Sequence, residues 1–254
     1  MSKTLEQTKA EMDARYAAGS AYPRHNLWDV KRQEQVHANV LELARFPDGL
    51  HCAPRKLGRT LDIACGSAGV AQYWPEPSMV TGLDLSSVAV EAASRSFPQT
   101  EYVAAAIEHY RPERKFDTVV AVESIEHWSD VAEGLASVRH MLGEDGVFVL
   151  TTPHRDSLHV TVGKLLGVDV PFCSSDHRYE YGYAELKELL AAHGFRVTRS
   201  LGSALMPYWA LEQIFGREIR KLTDHHEDLV SLLVAAGRDI PHMAFIQCHA
   251  CRLL

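Results

Sequence analysis

Glu123, Glu126 and His127 follow directly on Phe116 to Val122, a run that is continuously apolar after Asp117. Spacing of i, i+3 and i+4 puts the three on one face if the segment turns helically. An imidazole placed there could take a proton as general base, with Glu126 or Glu123 orienting it. Upstream, residues 60 to 69 read Thr-Leu-Asp-Ile-Ala-Cys-Gly-Ser-Ala-Gly. Apolar Leu61 and Ile63 end a buried strand, and the small residues Ala64, Gly66, Ala68 and Gly69 make a tight turn. Such a turn lets backbone N–H groups approach a ligand at the start of the following helix. Asp84 ends the next apolar run about twenty residues on, where a nucleotide fold places the acid that holds a ribose. The stretch therefore reads as a cradle for a nucleoside-containing cofactor.

The elements that must position these residues can be read along the chain. Residues 1 to 18 and 29 to 46 read as helices, joined by a linker from Gly19 to Asn26. Alternation follows: a strand to Ile63, a helix after Gly69, a strand from Met79 to Leu83 and a helix from Ser86 to Phe97. Then come a short strand at Glu101 to Val103, a central strand at Phe116 to Val122, a helix from Asp130 to Leu142 and a strand from Gly146 to Leu150. Strands alternating with helices predict a parallel sheet with crossovers. His154 to Cys173 reads as an irregular insertion and Tyr183 to His193 as an amphipathic helix. Phe195 to Leu201 is a strand, Pro207 to Gly237 is helical and His242 to Leu253 is a last strand. In the helical stretch, Trp209, Ile214, Phe215, Ile219 and Leu222 form an apolar stripe.

The chain has 254 residues and is 46% hydrophobic, enough for one substantial core. A single domain over residues 1–254 is expected, with a helical cap at 1–50, a cofactor core at 58–200, a helical lid at 203–240 and the last strand at 242–254. The formal net charge is −7 and no basic run is visible, which favours a small-molecule partner over nucleic acid. No apolar run is long enough for a bilayer. The polar first residues lack the apolar core of a signal peptide. Five scattered cysteines, an odd number, suggest reduced thiols and a cytoplasmic setting. Cys248 and Cys251 lie on a strand, where an odd separation points them to opposite faces.

Ala64-x-Gly66-x-x-Gly69 is one substitution from a dinucleotide fingerprint, so an NAD-binding oxidoreductase stands as an alternative. The charges decide more. Asp62, Asp84 and Glu123 each lie at the carboxyl end of an expected parallel strand, where open α/β sheets bind ligands. Three carboxylates are awkward for a pyrophosphate and suit a ligand with an ammonium and a sulfonium. S-adenosylmethionine carries both.

These residues resemble the class I S-adenosylmethionine-dependent methyltransferases. Leu61 to Ala68 is similar to the first motif of that family, Val80 to Ser86 to the second, Phe116 to His127 to the fourth-strand motif, and Met141 to Pro153 to the glycine turn and fifth strand. The resemblance covers about residues 58 to 200. It implies a Rossmann-like α/β fold with a seven-stranded, mostly parallel sheet, an antiparallel last strand and helices on both faces. An N-terminal helical cap and a helical insertion before the last strand complete the expectation. It also implies cofactor contacts from Asp62, Ala64, Gly66, Asp84, Leu85, Ala106, Ile107 and Glu123. Two family glycines are Ala64 and Ala68 here. The family's acid near the adenine is replaced by Ala104-Ala105-Ala106-Ile107, so that contact would come from the backbone. The activity implied is methyl transfer to a small-molecule acceptor, most readily a hydroxyl, with His127 and Glu126 as the catalytic pair.

A second resemblance concerns metal. Glu123-x-x-Glu126-His127 and Asp176-His177-Arg178-Tyr179-Glu180-Tyr181 are similar to two motifs of small-RNA 3′-terminal 2′-O-methyltransferases. That resemblance implies a divalent-metal site of Glu123, Glu126, His127 and His177, and an RNA acceptor as an alternative. His154 and Arg155 could touch substrate from the end of the fifth strand. Tyr22, Arg24, His25 and Trp28 could close over the cofactor or serve as a packed connector.

Overall fold

A computed structural model of the chain describes residues 4–19, 27–67, 69–207, 210–212 and 226–254. Seven strands form one sheet in the order β3-β2-β1-β4-β5-β7-β6. They are β1 (Thr60–Ile63), β2 (Val80–Asp84), β3 (Glu101–Ala104), β4 (Phe116–Val122), β5 (Leu142–Pro153), β6 (Phe195–Ser203) and β7 (Ile246–Leu253). β1 to β5 pair in parallel, and β7 runs antiparallel between β5 and β6. This is the Rossmann-like α/β arrangement expected, and the strand order reverses beside β1.

The helices are α1 (Leu5–Ala17), α2 (Leu27–Arg45), α3 (Ser87–Ser96), α4 (Val131–Met141), α5 (Leu158–Leu165), α6 (Tyr183–Ala192) and α7 (Glu227–Ala235). Three of them start where short polar side chains satisfy orphan N–H groups: Thr4 caps α1, Ser86 caps α3 and Asp130 caps α4. Leu135 and Val138 of α4 and Leu186 and Leu190 of α6 pack on Leu61, Ile63 and Val119 on one face of the sheet. Val36 and Val40 of α2 and Val230 and Val234 of α7 pack on Val80, Val120 and Val149 on the other. Each such aliphatic side chain contributes about 1.5–3 kcal/mol on burial. Cys251 belongs to the first cluster and Cys248 to the second, so the pair does point to opposite faces. All five cysteines are free.

Three expectations are corrected. The helix after Gly69 is a single 3-10 turn, Gly69–Gln72, because Pro75 and Pro77 follow at once and cannot extend it. The insertion from His154 to Cys173 is not wholly irregular. It contains α5, whose β-branched Val160, Thr161 and Val162 read against a helix, while burial of His159 and Val160 holds one. The last strand starts at Ile246 rather than His242, since the backbone turns through residues 241–244 first. Ala68, the linker residues Tyr22, Arg24 and His25, and Trp209, Ile214, Phe215, Ile219 and Leu222 of the expected lid lie outside the described residues. No described helix is long and apolar enough to cross a membrane.

Candidate active site

The turn after β1 is built by two buried carboxylates that grip backbone. Asp62 Oδ2 accepts from Val70 N at 2.8 Å, and Asp84 accepts from Gly66 N and Ser86 N, each at 2.8 Å. The chain can follow this path because Gly66 (φ 58°) and Gly69 (φ 52°) are left-handed. A Cβ on Gly69 would lie 2.0 Å from Asp62 Oδ2. Ala64 takes the same conformation, φ 56°, at a position where the family has glycine. Ala64 therefore bears the strain of a non-glycine residue in the turn. Burial pushes Asp62 up to about 7 against the pull of the Val70 hydrogen bond, and raises Asp84 as well.

The loop floors a cavity of about 710 Å³ at the carboxyl edge of β1 and β4. Asp62, Ala64, Gly66, Glu123, Glu126, His127 and His177 all line it, so the cradle and the acid–base residues share one space. Asp84, Leu85, Ala106 and Ile107 stand at the same sheet edge, at the ends of β2 and β3, but do not line it. Helix α1 lies over that end. Asp13 accepts from Ser86 Oγ at 2.6 Å and from Val88 N at 3.4 Å, and Tyr16 reaches Gly66 so closely that a Cβ there would meet its hydroxyl at 2.8 Å.

Glu123, Glu126 and His127 do not share a face. β4 ends as Glu123 turns left-handed (φ 46°), and the next turn, Ile125–His127, is 3-10 rather than α. Each side chain then finds a different partner. Glu123 forms an ion pair with Arg32 of α2. Glu126 points inward: its Oε2 accepts from Thr152 Oγ1 at 2.9 Å, its Oε1 is buried without a partner among the described residues, and burial pushes its carboxyl up to about 8. His127 is therefore oriented by neither glutamate. Its Nδ1 lies 3.4 Å from the backbone oxygen of Asp176. Burial, then the neighbouring His177, holds this imidazole below its ordinary value.

The segment carrying Asp176 and His177 is anchored when Arg178 N donates to the Glu126 carbonyl at 2.8 Å. The His127 and His177 rings then meet edge to face with centroids 4.9 Å apart. His177 Nδ1 pairs with Glu180 Oε1 at 2.7 Å, which raises its pKa although burial works against the charge. Side-chain ligand atoms of Glu126, His127 and His177 lie within 4.8 Å of one another. Glu123 is not in that cluster, so of the four ligands expected from the RNA-enzyme resemblance, three come together.

Other expected residues are elsewhere. His154 is buried against the Ala244 carbonyl, and Arg155 bonds Tyr179 and Glu185; neither lines the cavity. Trp28 is a core residue of α2 whose ring also reaches the cavity wall. Sequence reading missed Arg32 and gave Asp176 no role beyond its place in the second motif. Their contacts span 91 and 49 residues of chain, and no local spacing announces them.

Residues 28–200 match the family described as "Methyltransferase domain". The chain is 31% identical over 143 residues to a malonyl-(acyl-carrier protein) O-methyltransferase of Enterobacter lignolyticus, covering 56% of this chain and 52% of that protein. It is 31% identical over 184 residues to a probable S-adenosylmethionine-dependent methyltransferase of Mycolicibacterium smegmatis, covering 70% of this chain and 62% of that protein. The chain thus spans little more than half the length of these relatives. Among solved structures, a magnesium protoporphyrin IX methyltransferase from Synechocystis PCC 6803 with bound SAH aligns with a TM-score of 0.58, over 97% of this chain and 96% of that one. At 15% identity that likeness is one of fold.

Proposed function

The chain belongs to the class I S-adenosylmethionine-dependent methyltransferase family, and from that premise we propose that it transfers a methyl group to a hydroxyl of a small-molecule acceptor. The observation that carries the reading is His127, a half-buried imidazole whose Nδ1 faces the Asp176 carbonyl, on the wall of the cavity that the glycine loop floors. The loop fits the family's cofactor: left-handed Gly66 and Gly69 hold a tight turn on the cavity floor, with its backbone gripped from behind by Asp62 and Asp84. When bound there, S-adenosylmethionine supplies an electrophilic methyl on a sulfonium.

An oxygen nucleophile must lose its proton, and the chain's own groups can take it. A backbone carbonyl only accepts, so the Asp176 oxygen keeps the proton on Nδ1 and leaves Nε2 basic. Nε2 takes the hydroxyl proton and becomes imidazolium beside Asp176, whose carboxylate Oδ2 stands 3.7 Å from Nδ1. Glu126, with its carboxyl raised to about 8, is a neutral donor at pH 7 rather than a second base. Residues 203–240 are read as the lid that chooses the acceptor. The test is methyl transfer to a panel of phenols, alcohols and amines. Transfer to hydroxyls supports the reading, and transfer confined to amines overturns it.

One observation favours a second reading. Glu126, His127 and His177 converge, and Glu126 Oε1 has no partner among the described residues. Two imidazoles and a carboxylate suit a manganese- or zinc-like ion that would lower the hydroxyl pKa instead. Activity lost in EDTA, restored by manganese and absent in His177→Ala would establish it. The same enzyme tested on RNA ends would decide the RNA alternative, against which the net charge of −7 argues.

A further inference from the structure

The segment that carries Asp176 and His177 also gathers three side chains that the proton transfer above does not use. Cys173, His177 and Glu180 occupy positions i, i+4 and i+7 of one loop. One ligand atom from each lies within 4.8 Å of the other two. Cys173 Sγ is 3.6 Å from His177 Nδ1, and that nitrogen is 2.7 Å from Glu180 Oε1. Backbone bonds fix the loop. Cys173 N donates to Glu180 Oε1 at 2.8 Å, His177 N to the Ser174 carbonyl at 3.3 Å and Arg178 N to the Glu126 carbonyl at 2.8 Å. The His177 and Glu180 side chains are only 6% and 7% exposed.

These distances suit a tetrahedral cation. A thiolate sulfur about 2.3 Å and an imidazole nitrogen about 2.0–2.1 Å from such an ion stand about 3.5–3.6 Å apart, which is the separation of Sγ and Nδ1 here. A carboxylate oxygen about 2.0–2.2 Å from the ion would stand about 3.4 Å from that nitrogen, so Glu180 gives way by about 0.7 Å. The donor set decides the class of ion. A thiolate beside an imidazole selects zinc and similar cations, whereas magnesium and calcium take oxygen. A second observation lies next to the loop. Glu126, 1% exposed, leaves Oε1 without a partner among the described residues, and its ligand atom lies within 4.8 Å of one on His177. A carboxyl group with an unmet oxygen thus stands beside the histidine.

We propose that Cys173, His177 and Glu180 bind a zinc-class divalent cation. Binding displaces the Cys173 thiol proton to solvent. Cys173 and His177 also line the cavity, so water or an acceptor heteroatom can take the fourth position. This set differs from Glu123, Glu126, His127 and His177, because it takes its sulfur and its carboxylate from the loop itself. The proposal rests on neither the cofactor nor the acceptor assigned above, and it can fail while both stand.

Cobalt titration of the metal-free full chain tests this, because a thiolate ligand gives cobalt a near-ultraviolet charge-transfer band. The wild type should show the band, and zinc should abolish it on binding with about one ion per chain. Cys173→Ser should remove the band and weaken zinc about 100-fold or more, and Glu180→Gln should weaken zinc about 10- to 100-fold. Cys52→Ser, at a free cysteine outside the loop, should change neither. A wild type without the band, or a band that survives in Cys173→Ser, overturns the proposal. Zinc binding lost in Glu126→Gln but retained in Cys173→Ser overturns it in favour of the Glu126, His127 and His177 cluster. A second measurement needs no variant. Zinc should slow iodoacetamide alkylation of Cys173 in the wild type about tenfold or more and leave Cys52 unaffected. Equal Cys173 rates with and without zinc also overturn the proposal.

Discussion

Asp176 holds His127 from two directions, with its backbone oxygen 3.4 Å and its carboxylate Oδ2 3.7 Å from Nδ1. Asp176 is itself fixed by Arg15 of α1 at 2.8 Å and by the hydroxyl of Ser174. The base therefore stands on a chain of contacts that begins in the N-terminal cap. Asp176→Asn should lower kcat about 10- to 100-fold with S-adenosylhomocysteine affinity nearly unchanged. In a proton NMR titration the His127 pKa should fall further, because the carboxylate now supports the imidazolium. An unmoved His127 titration would separate Asp176 from the base.

Gly69 has no room for a side chain. A Cβ would meet the buried Asp62 Oδ2 at 2.0 Å, and the residue is left-handed. Gly69→Ala should cost about 2–4 kcal/mol, from strain plus displacement of a hydrogen-bonded buried carboxylate. Urea unfolding reads the stability, and calorimetry should show S-adenosylhomocysteine binding weakened with it. A variant as stable as the wild type would mean that the loop does not depend on this contact.

Ala64 predicts the opposite sign. It holds φ 56° with a Cβ, and Ala64→Gly relieves about 1–2 kcal/mol of left-handed strain while adding roughly 0.4–1 kcal/mol of unfolded-state entropy. The net expectation is a gain of about 0.5–1 kcal/mol, read as a higher urea midpoint.

Stability should peak at mildly acidic pH, with a different cause on each side. His249 is bonded to Ser200 Oγ at 2.8 Å and to Gln247 at 3.0 Å, and burial pushes it down to about 3; burial pushes His159 down to about 4. Both fold as neutral imidazoles. Their contribution is complete above the ordinary histidine value near 6.5 and is lost as pH falls towards those lowered values. Asp62 has the reverse sign. Burial raises it from 3.8 to about 7, so its contribution is complete below 3.8 and is lost as pH rises through about 7. Urea midpoints should be highest near pH 6.5 and fall on both sides. Asp62→Asn should make the fall up to about pH 7 shallower, Glu126, raised from 4.5 to about 8, should keep the alkaline limb above that, and His249→Asn should flatten the acid limb. A profile that is flat through neutrality, or unchanged in Asp62→Asn, would contradict these assignments.

The parts of the site that were legible in the sequence are those built locally. Asp62, Gly66, Gly69 and Asp84 announce themselves because a strand end, a left-handed turn and the next strand end are fixed by nearby residue types. The 3.6-residue spacing of Glu123, Glu126 and His127 was misleading for a local reason as well: one left-handed residue at Glu123 and a 3-10 turn sent the three side chains to Arg32, Thr152 and Asp176. Arg32 could not be read at all, and Asp176 only as part of a motif, with nothing to tie it to His127. Arginines and aspartates on amphipathic or irregular segments look solvated in a sequence, and only the crossover that folds α2 and the 173–180 segment over the sheet edge brings them to the cavity. Helix α5 was hidden because its β-branched residues follow local propensity in the wrong direction, and tertiary burial overrules it.

Methyl transfer by His127→Gln, measured beside S-adenosylhomocysteine affinity, tests the central claim most directly. His127 as the proton acceptor for a hydroxyl predicts a rate about 10²- to 10⁴-fold below wild type on a hydroxylated acceptor, with the affinity held within about threefold. A variant that transfers the methyl group at the wild-type rate, or that loses cofactor affinity as steeply as rate, would contradict it.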